Sequence, residues 1–182
     1  MQVSAQPPER RGNRMSLKLV AFDVGHTLID ERIDAADFVE PITLMPHVLG
    51  VLPQIRLPMA AWSNTKSARE TEVRNLLRAA GIERFFSWVI TSIDANCRKP
   101  NREFFRYALE TCGVRADEVL FVGNQLNTDV CGGTQCGIKT VWISGEAHRS
   151  PNETMLPGDV TADYEIESLA ELPALLRKIQ NR

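Results

Sequence analysis

Apolar residues follow two different spacings along this chain, and the two alternate. Short, nearly continuous apolar runs are typical of buried strands, whereas apolar residues that recur every three or four positions are typical of helices with one buried face. The short runs predict five strands, at residues 17–22, 59–62, 88–91, 118–122 and 138–143. Strands that alternate with helices favour a parallel sheet covered by helices on both faces. The pattern therefore predicts an α/β fold.

The wider spacing predicts the helices that connect these strands. They cover residues 46–55, 67–80 and 101–112, and a short glycine-containing helix precedes the last strand. A final helix begins at Ser168, because Ser168 and Glu171 have the spacing of a capping box. The residues that this final helix would bury are Leu169, Leu172, Leu176 and Ile179.

Length, composition and charge narrow the classes of protein that fit. A chain of 182 residues suits one domain with a sizeable core; we place this domain at 17–182, after a disordered leader at 1–16. The net charge of −2 offers no field for nucleic acid or for an anionic membrane surface. No apolar run approaches the ~18 residues of a spanning helix, and the four cysteines lack the paired spacing of metal ligands. We expect a cytoplasmic protein without nucleic-acid or membrane partners.

Candidate functional residues lie directly after the predicted strands. Asp23 follows the first strand, with Gly25 and Thr27 close behind it, and Ser63 and Asn64 follow the second. The carboxyl ends of parallel strands meet at one edge of the sheet, where such folds bind their ligands. A carboxylate there can attack phosphorus or hold a cation. The small polar side chains and free backbone N–H groups before a helix suit the oxygens of a phosphate.

Two later segments add a positive charge and further oxygen atoms. Lys99 precedes a helix, where its ammonium group can neutralise phosphate charge and keep Asp23 ionised. Asn124 and Asp129 follow the fourth strand and offer oxygens suited to a hard cation. Each residue alone is more simply explained as a turn, cap or surface residue. Their occurrence together, each behind a strand, favours a shared site for phosphate and metal.

As a set, these motifs resemble those of the haloacid dehalogenase-like hydrolase superfamily, whose members are mostly phosphatases. Residues 23–27 are similar to the family's Asp-x-Asp-x-Thr motif, and residues 60–64 are similar to its apolar strand that ends in Ser or Thr. Lys99 resembles the lysine of the third motif, and residues 121–129 resemble the fourth, in which Gly-Asp is followed by a later Asp. The similarity covers nearly the whole chain. It implies a Rossmann-like parallel sheet with helices on both faces.

The resemblance also implies a role for each candidate residue. Asp23 would be the nucleophile that forms an aspartyl-phosphate, and Lys99 would share in catalysis by stabilising the phosphoryl charge. The residues that would bind the phosphoryl group are Thr27, Ser63, Asn64 and Lys99. The ligands of a Mg²⁺ ion would be Asp23, the backbone carbonyl of Gly25, Asn124 and Asp129.

Two residues depart from the family's pattern. Gly25 replaces the acid that would protonate the leaving oxygen, a function that contributes roughly 10²- to 10⁴-fold to the rate. The imidazole of the adjacent His26 could stand in for this acid, but side-chain direction in a tight loop argues against it. The simpler interpretation is a loop residue whose imidazole packs against the flap that follows, at 29–45. Asn124 replaces a carboxylate by an amide, which keeps an oxygen for Mg²⁺ but removes a negative charge.

The segment between the first two motifs is too short for the helical cap that family members usually carry. We expect a short flap at 29–45, in which Phe38 either contacts the ligand or packs against the core. An open site suits a macromolecular substrate, or a small one that a neighbouring subunit of a homo-oligomer encloses. Residues 144–162 would form a long loop near the same edge, and disorder is the common explanation for such loops.

The leading hypothesis is a minimal-cap, Mg²⁺-dependent phosphatase that acts through an aspartyl-phosphate on Asp23 and is slow because of Gly25. Its substrate would be a phosphorylated small molecule or macromolecule. The alternative is a catalytically impaired domain that binds a phosphorylated ligand or protein partner. A C–Cl or C–P hydrolase of the same superfamily is disfavoured, since those relatives generally use a helical cap to contact the substrate.

Overall fold

The computed structural model describes residues 16–30, 42–149 and 160–181. The predicted leader except its last residue, most of the predicted flap including Phe38, and the middle of the 144–162 loop lie outside this part of the chain. What the sequence suggests for those segments therefore stays a prediction.

Within the described residues, six parallel strands form one sheet in the order β3-β2-β1-β4-β5-β6. The strands are β1 (Leu19–Phe22), β2 (Met59–Ser63), β3 (Phe86–Thr91), β4 (Val119–Gly123), β5 (Lys139–Ile143) and β6 (Tyr164–Ile166). The predicted fold class and its five strands are confirmed. Strand β6 was not predicted, because it is three residues long and only Ile166 is buried in it, which is too little for an apolar run.

The order of the strands reverses at β1. This strand lies at the centre of the sheet between β2 and β4, and it is buried along its whole length. The chain runs outward from β1 through β2 to β3 and then returns to β4 on the other side. Such a reversal leaves a crevice beyond the carboxyl ends of the two central strands. The segments that follow β1 and β4 meet at this crevice.

Helices complete the described part of the fold. They are α1 (Val48–Val51), α2 (Glu70–Ala79), α3 (Arg102–Cys112), α4 (Cys131–Gln135) and α5 (Leu172–Gln180). A π-helical turn at Leu126–Val130 leads into α4. Turns of 3₁₀ helix lie at Leu52–Gln54, Glu83–Phe85, Ala116–Glu118, Glu146–His148 and Leu169–Glu171. In this part of the chain, no helix has the length and apolar character that crossing a membrane requires.

The capping box predicted at Ser168 and Glu171 is confirmed. The Ser168 hydroxyl accepts a hydrogen bond from the backbone N–H of Ala170 at 3.3 Å, and the Glu171 carboxylate accepts one from the N–H of Ser168 at 3.0 Å. This is the capping box that the spacing predicts. The four residues of the predicted stripe are all buried, Leu169 in the 3₁₀ turn and the other three in α5, so they attach the turn and the helix to the core.

Helix α2 begins three residues later than its spacing predicts. The Asp94 carboxylate, from the loop after β3, accepts a hydrogen bond from the backbone N–H of Glu70 at 2.7 Å. The Glu72 carboxylate accepts another from the N–H of Arg69 at 2.9 Å. These bonds satisfy N–H groups that a first helical turn leaves free, and they set where the helix starts. Asp94 is distant in sequence, so periodicity could not indicate its role.

The two faces of the sheet carry separate apolar clusters. Val20 and Phe22 of β1 pack on one face among residues of α1, α2 and α5. Leu19 and Ala21 pack on the other face, where α3 contributes a pair of buried phenylalanines. Successive side chains of a strand point to opposite faces, so one strand contributes to both clusters. The prediction of helices on both faces is thereby confirmed.

Candidate active site

The centre of the candidate site is the ammonium group of Lys99, which lies between two carboxylates. Lys99 Nζ donates to Asp23 Oδ1 at 2.6 Å and to Asp129 Oδ1 at 2.7 Å, and also to the backbone carbonyl of Trp62 at 2.9 Å. Asp23 follows β1, Lys99 lies between β3 and α3, and Asp129 lies in the turn after β4. All three residues are buried. The fold therefore brings the three predicted charged groups together at one edge of the sheet.

Asn64 holds the backbone of Lys99. Its side-chain Nδ2 donates to the Lys99 carbonyl and its Oδ1 accepts from the Lys99 N–H, both at 2.9 Å. This paired contact engages both polar ends of the side chain. The sequence predicts Asn64 as a phosphate-binding residue, and this stays a prediction. Because its side chain contacts the backbone of Lys99, its backbone N–H is the group that remains for a phosphate.

Burial and mutual attraction set the charge states of the central group. Burial raises the pKa of Asp23 to about 6, against the attraction of Lys99, which lowers it. Burial disfavours the Lys99 cation, but the attractions of Asp129 and Asp23 outweigh it, and the pKa of Lys99 is raised. Two carboxylates against one ammonium leave an excess of negative charge in a buried place when both are ionised. Such an excess favours the binding of a further cation.

Thr27 links the loop after β1 to the loop after β4. Its hydroxyl lies 3.2 Å from Asp23 Oδ2 and 3.3 Å from Asn124 Oδ1 and can donate to either. Thr27 is fully buried, and Asn124 is almost so. The contact places the amide oxygen of Asn124 beside the carboxylate of Asp23. The Thr27 side chain thus connects the two loops, and its role in binding the phosphoryl group stays a prediction.

Ser63 ends β2 at the same edge and is buried. The segment after it is held by Ser92, whose N–H donates to the Ser63 carbonyl and whose hydroxyl accepts from the Thr65 N–H, both at 2.9 Å. The predicted phosphate-binding segment therefore lies at the carboxyl end of β2, next to the carbonyl of Trp62 that Lys99 contacts.

The oxygen atoms at this edge have the chemistry of a site for a hard cation. They belong to Asp23, Asp129 and the Asn124 amide. Among the residues described, no cluster of three or more His, Cys, Asp or Glu side chains is arranged to hold a metal. Mg²⁺ uses few protein carboxylates and completes its coordination with water and substrate oxygens. The donor set fits this ion.

His26 and His148 lie beside the site and contact each other. The His26 ring faces Asp30, with Nδ1 3.9 Å from Asp30 Oδ1. The ring Nδ1 of His148 lies 2.8 Å from the His26 carbonyl, and the His148 carbonyl accepts from Asn124 Nδ2 at 2.7 Å. Burial lowers the pKa of His148. Only the position of His148 just beyond β5 could have indicated that it reaches the site.

The chain is similar to known proteins and to one family model. A family model described as HAD-hydrolase-like matches residues 96–172. The chain is 29% identical over 138 residues to glyceraldehyde 3-phosphate phosphatase of Methanocaldococcus jannaschii, covering 74% of this chain and 57% of that protein. It is 33% identical over 142 residues to pyrimidine 5'-nucleotidase YjjG of Escherichia coli, covering 76% and 59%. The chain thus spans little more than half the length of these relatives.

Solved structures share the fold at lower identity. An uncharacterized protein from Listeria monocytogenes serotype 4b superposes with a TM-score of 0.79 at 22% identity, over 91% of this chain and all of the other. The HAD-hydrolase YfnB from Bacillus subtilis, bound to magnesium, superposes with a TM-score of 0.69 at 18% identity, over 88% and 99%.

Fold and site together define an α/β domain built around a buried Asp-Lys-Asp group. The family model and the relatives show that this chain is similar to the haloacid dehalogenase-like hydrolases, as its motifs predict.

Proposed function

We propose that this chain is a Mg²⁺-dependent phosphatase domain in which Asp23 receives the phosphoryl group. The observation that carries the proposal is the Lys99 ammonium, held within 2.7 Å of both Asp23 and Asp129 at the carboxyl edge of the sheet. Two similar proteins are named as a phosphatase and a nucleotidase, which supports this reaction class.

Asp23 would act as the nucleophile. One of its carboxylate oxygens forms a bond to phosphorus while the bond from phosphorus to the leaving oxygen breaks, and that oxygen departs with the bonding electrons. Water then hydrolyses the aspartyl-phosphate, which regenerates the carboxylate and releases inorganic phosphate. Lys99 Nζ stabilises the negative charge on the phosphoryl oxygens, an interaction that is strong in a buried site. The Ser63 hydroxyl and the backbone N–H of Asn64 bind further phosphoryl oxygens.

The residues that would hold Mg²⁺ are Asp23, the backbone carbonyl of Gly25, Asn124 and Asp129. When bound, the ion supplies positive charge that neutralises the phosphoryl group and orients it toward the nucleophile. Without the ion, Lys99 balances part of the negative charge of the two carboxylates.

Gly25 restricts the substrates that this site would turn over quickly. No carboxyl group stands two residues after Asp23 to protonate a leaving oxygen. Acyl and aryl phosphates, whose leaving groups are stable as anions, need this proton least. We therefore propose a phosphorylated compound with a good leaving group as the preferred substrate. The short flap at 29–45 would leave the site open to a macromolecule or to a neighbouring subunit.

A second candidate function also rests on Gly25. A domain that keeps its phosphoryl-binding groups but lacks the acid would bind a phosphorylated ligand or protein partner without hydrolysing it. The buried residues Asp23, Lys99 and Asp129 would then contribute only to the affinity for that ligand.

Turnover of acetyl phosphate and p-nitrophenyl phosphate with Mg²⁺ separates the two functions. We expect measurable release of phosphate that disappears in Asp23→Asn, a variant of nearly the same shape that cannot form the aspartyl-phosphate. Thermal unfolding of Asp23→Asn serves as the control that it is folded. Binding of phosphate to the unaltered protein without hydrolysis of either compound would reject the phosphatase in favour of the binding domain.

A further inference from the structure

We propose that His148 is a positioning residue for the first loop of the site, and that it acts through a closed set of hydrogen bonds. This set, which we name the His148 brace, comprises the ring and carbonyl of His148, the side chains of Asn124 and Thr27, and the carbonyl of His26. The consequence for Mg²⁺ rests on the proposed function, whereas the brace itself does not.

The ring of His148 forms the first link of the brace. Its Nδ1 lies 2.8 Å from the carbonyl oxygen of His26. A carbonyl oxygen can only accept, so this nitrogen carries a proton and donates. His148 is buried, and an unpaired carbonyl or ring N–H in that place would cost free energy.

Asn124 forms the second link and closes the set. Its Nδ2 donates to the His148 carbonyl at 2.7 Å, and its Oδ1 lies 3.3 Å from the Thr27 hydroxyl. Thr27 is covalently joined to His26, so the contacts run from His26 through His148 and Asn124 back to the next residue of the same loop. The peptide between His26 and Thr27 is thereby held from both sides.

The brace gives Asn124 a function that a carboxylate could not perform. An aspartate at this position has no N–H, and its oxygen would face the His148 carbonyl oxygen at the distance that Nδ2 now occupies. The amide is therefore more than a ligand that has lost its charge. Its nitrogen ties the loop after β4 to the segment after β5.

The far end of the brace is anchored in the sheet. The His148 N–H donates to the Gly145 carbonyl, and the Ser144 N–H donates to the Ile166 carbonyl of β6, both at 2.9 Å. Gly145 packs so closely that a Cβ there would lie 1.9 Å from the Glu167 carbonyl oxygen. Strand β6 thus gives His148 a fixed support.

The near end of the brace acts on the residue next to a proposed Mg²⁺ ligand. His26 has a φ of +55°, in the left-handed region that non-glycine residues adopt at a cost. Its N–H donates to the Ile29 carbonyl at 2.7 Å, and the brace holds its carbonyl. A fixed His26 fixes the direction of the preceding Gly25 carbonyl, and groups fixed in advance bind a ligand more tightly.

The first test measures amide hydrogen exchange in the loop at 24–28, in metal-free protein. His148→Ala removes the ring contact, and we expect exchange there to rise about tenfold, since one buried hydrogen bond is lost. His148→Asn is the matched control, because its Nδ2 takes the place of the ring Nδ1 and should restore protection. Asn124→Asp should also raise exchange, although it adds a carboxylate to the site.

The second test measures Mg²⁺ binding by calorimetry without substrate. We expect His148→Ala to weaken binding by roughly 10- to 100-fold, as the loss of groups that support metal ligands does, and His148→Asn to recover most of it. Leu176→Ala, which loosens the core under α5, controls for general loss of stability. It should lower the melting temperature and leave both loop exchange and Mg²⁺ affinity unchanged.

Unaltered exchange at 24–28 in both His148→Ala and Asn124→Asp would overturn the brace, as would equal effects of His148→Ala and His148→Asn. Exchange is measured without metal or substrate, so this outcome is independent of turnover. A protein that hydrolyses no phosphate yet shows the expected exchange pattern would reject the proposed function and retain the brace.

Discussion

Two glycines on opposite sides of the site have opposite structural settings. Among the described residues, a Cβ built at Gly25, in the loop after β1, meets no atom within 4 Å. A Cβ built at Gly123, at the end of β4, would lie 2.5 Å from Asp129 Oδ2 and 2.6 Å from Asp129 Cβ. Gly123 therefore makes room for a site carboxylate, because any larger residue would displace it. At Gly25 the backbone imposes no such need.

This difference changes how the departure from the family pattern is understood. The space beside Gly25 can accept a side chain, so the missing acid is a matter of chemistry and not of packing. The loop after β4 is closely filled, with Asp129 Oδ2 accepting from the Gln125 N–H at 3.1 Å. One side of the site is open to substitution, and the other is constrained by contact.

The largest expected effect comes from adding the missing acid at the open position. Gly25→Asp should raise the rate for alkyl phosphates, whose leaving groups need a proton, by roughly 10²- to 10⁴-fold. It should change the rate for acetyl phosphate little. Steady-state kinetics on the two substrate classes measure the difference, and Gly25→Asn is the control of matching shape without an acid. No gain with alkyl phosphates would show that another group, such as His26, already transfers the proton.

A smaller effect compares the two glycines directly. Gly123→Ala should lower the free energy of unfolding by about 1–3 kcal/mol, as overpacking does, and weaken Mg²⁺ binding because Asp129 is displaced. Gly25→Ala should stay within about 0.5 kcal/mol of the unaltered protein, as substitutions without contacts do. Chemical denaturation of the two variants measures this. Equal losses at both positions would contradict the contrast drawn here.

The smallest expected effect concerns the protonation of Asp23, which lies in the same loop as Gly25. Because burial raises its pKa to about 6, a proton competes with Mg²⁺ below that pH. Apparent Mg²⁺ affinity should fall as the pH decreases through 6, by up to about tenfold for each further unit, and should level off above pH 7. Calorimetry between pH 5 and 8 measures the curve. A flat curve across pH 6 would mean that Asp23 does not bind the ion or is already ionised at pH 5.

Sequence reasoning predicted the charged residues of the site and missed the contacts that hold them. Asp23, Lys99 and Asp129 could be found because each lies behind a strand, and parallel strands bring their carboxyl ends to one edge. The pair of hydrogen bonds between the Asn64 side chain and the Lys99 backbone could not be predicted in this way. It depends on the orientation of a side chain toward a backbone 35 residues away in sequence.

His148 and β6 were missed for a related reason. A lone histidine in a loop has no periodic or spacing signal, and its function comes from contacts with His26 and Asn124. Strand β6 is too short to show a pattern of its own and becomes a strand by pairing with β5.

The sequence by itself determined the α/β fold, the order of its main elements and the charged groups of the site. Apolar spacing and strand-end position are local properties, and each can be found within a short window of residues. Only the tertiary structure decided the partners of those groups: Lys99 between two carboxylates, Asn124 bonded to His148, open space at Gly25 and close contact at Gly123. Hydrogen bonds and packing join residues far apart in the chain, and only the folded arrangement sets their distances.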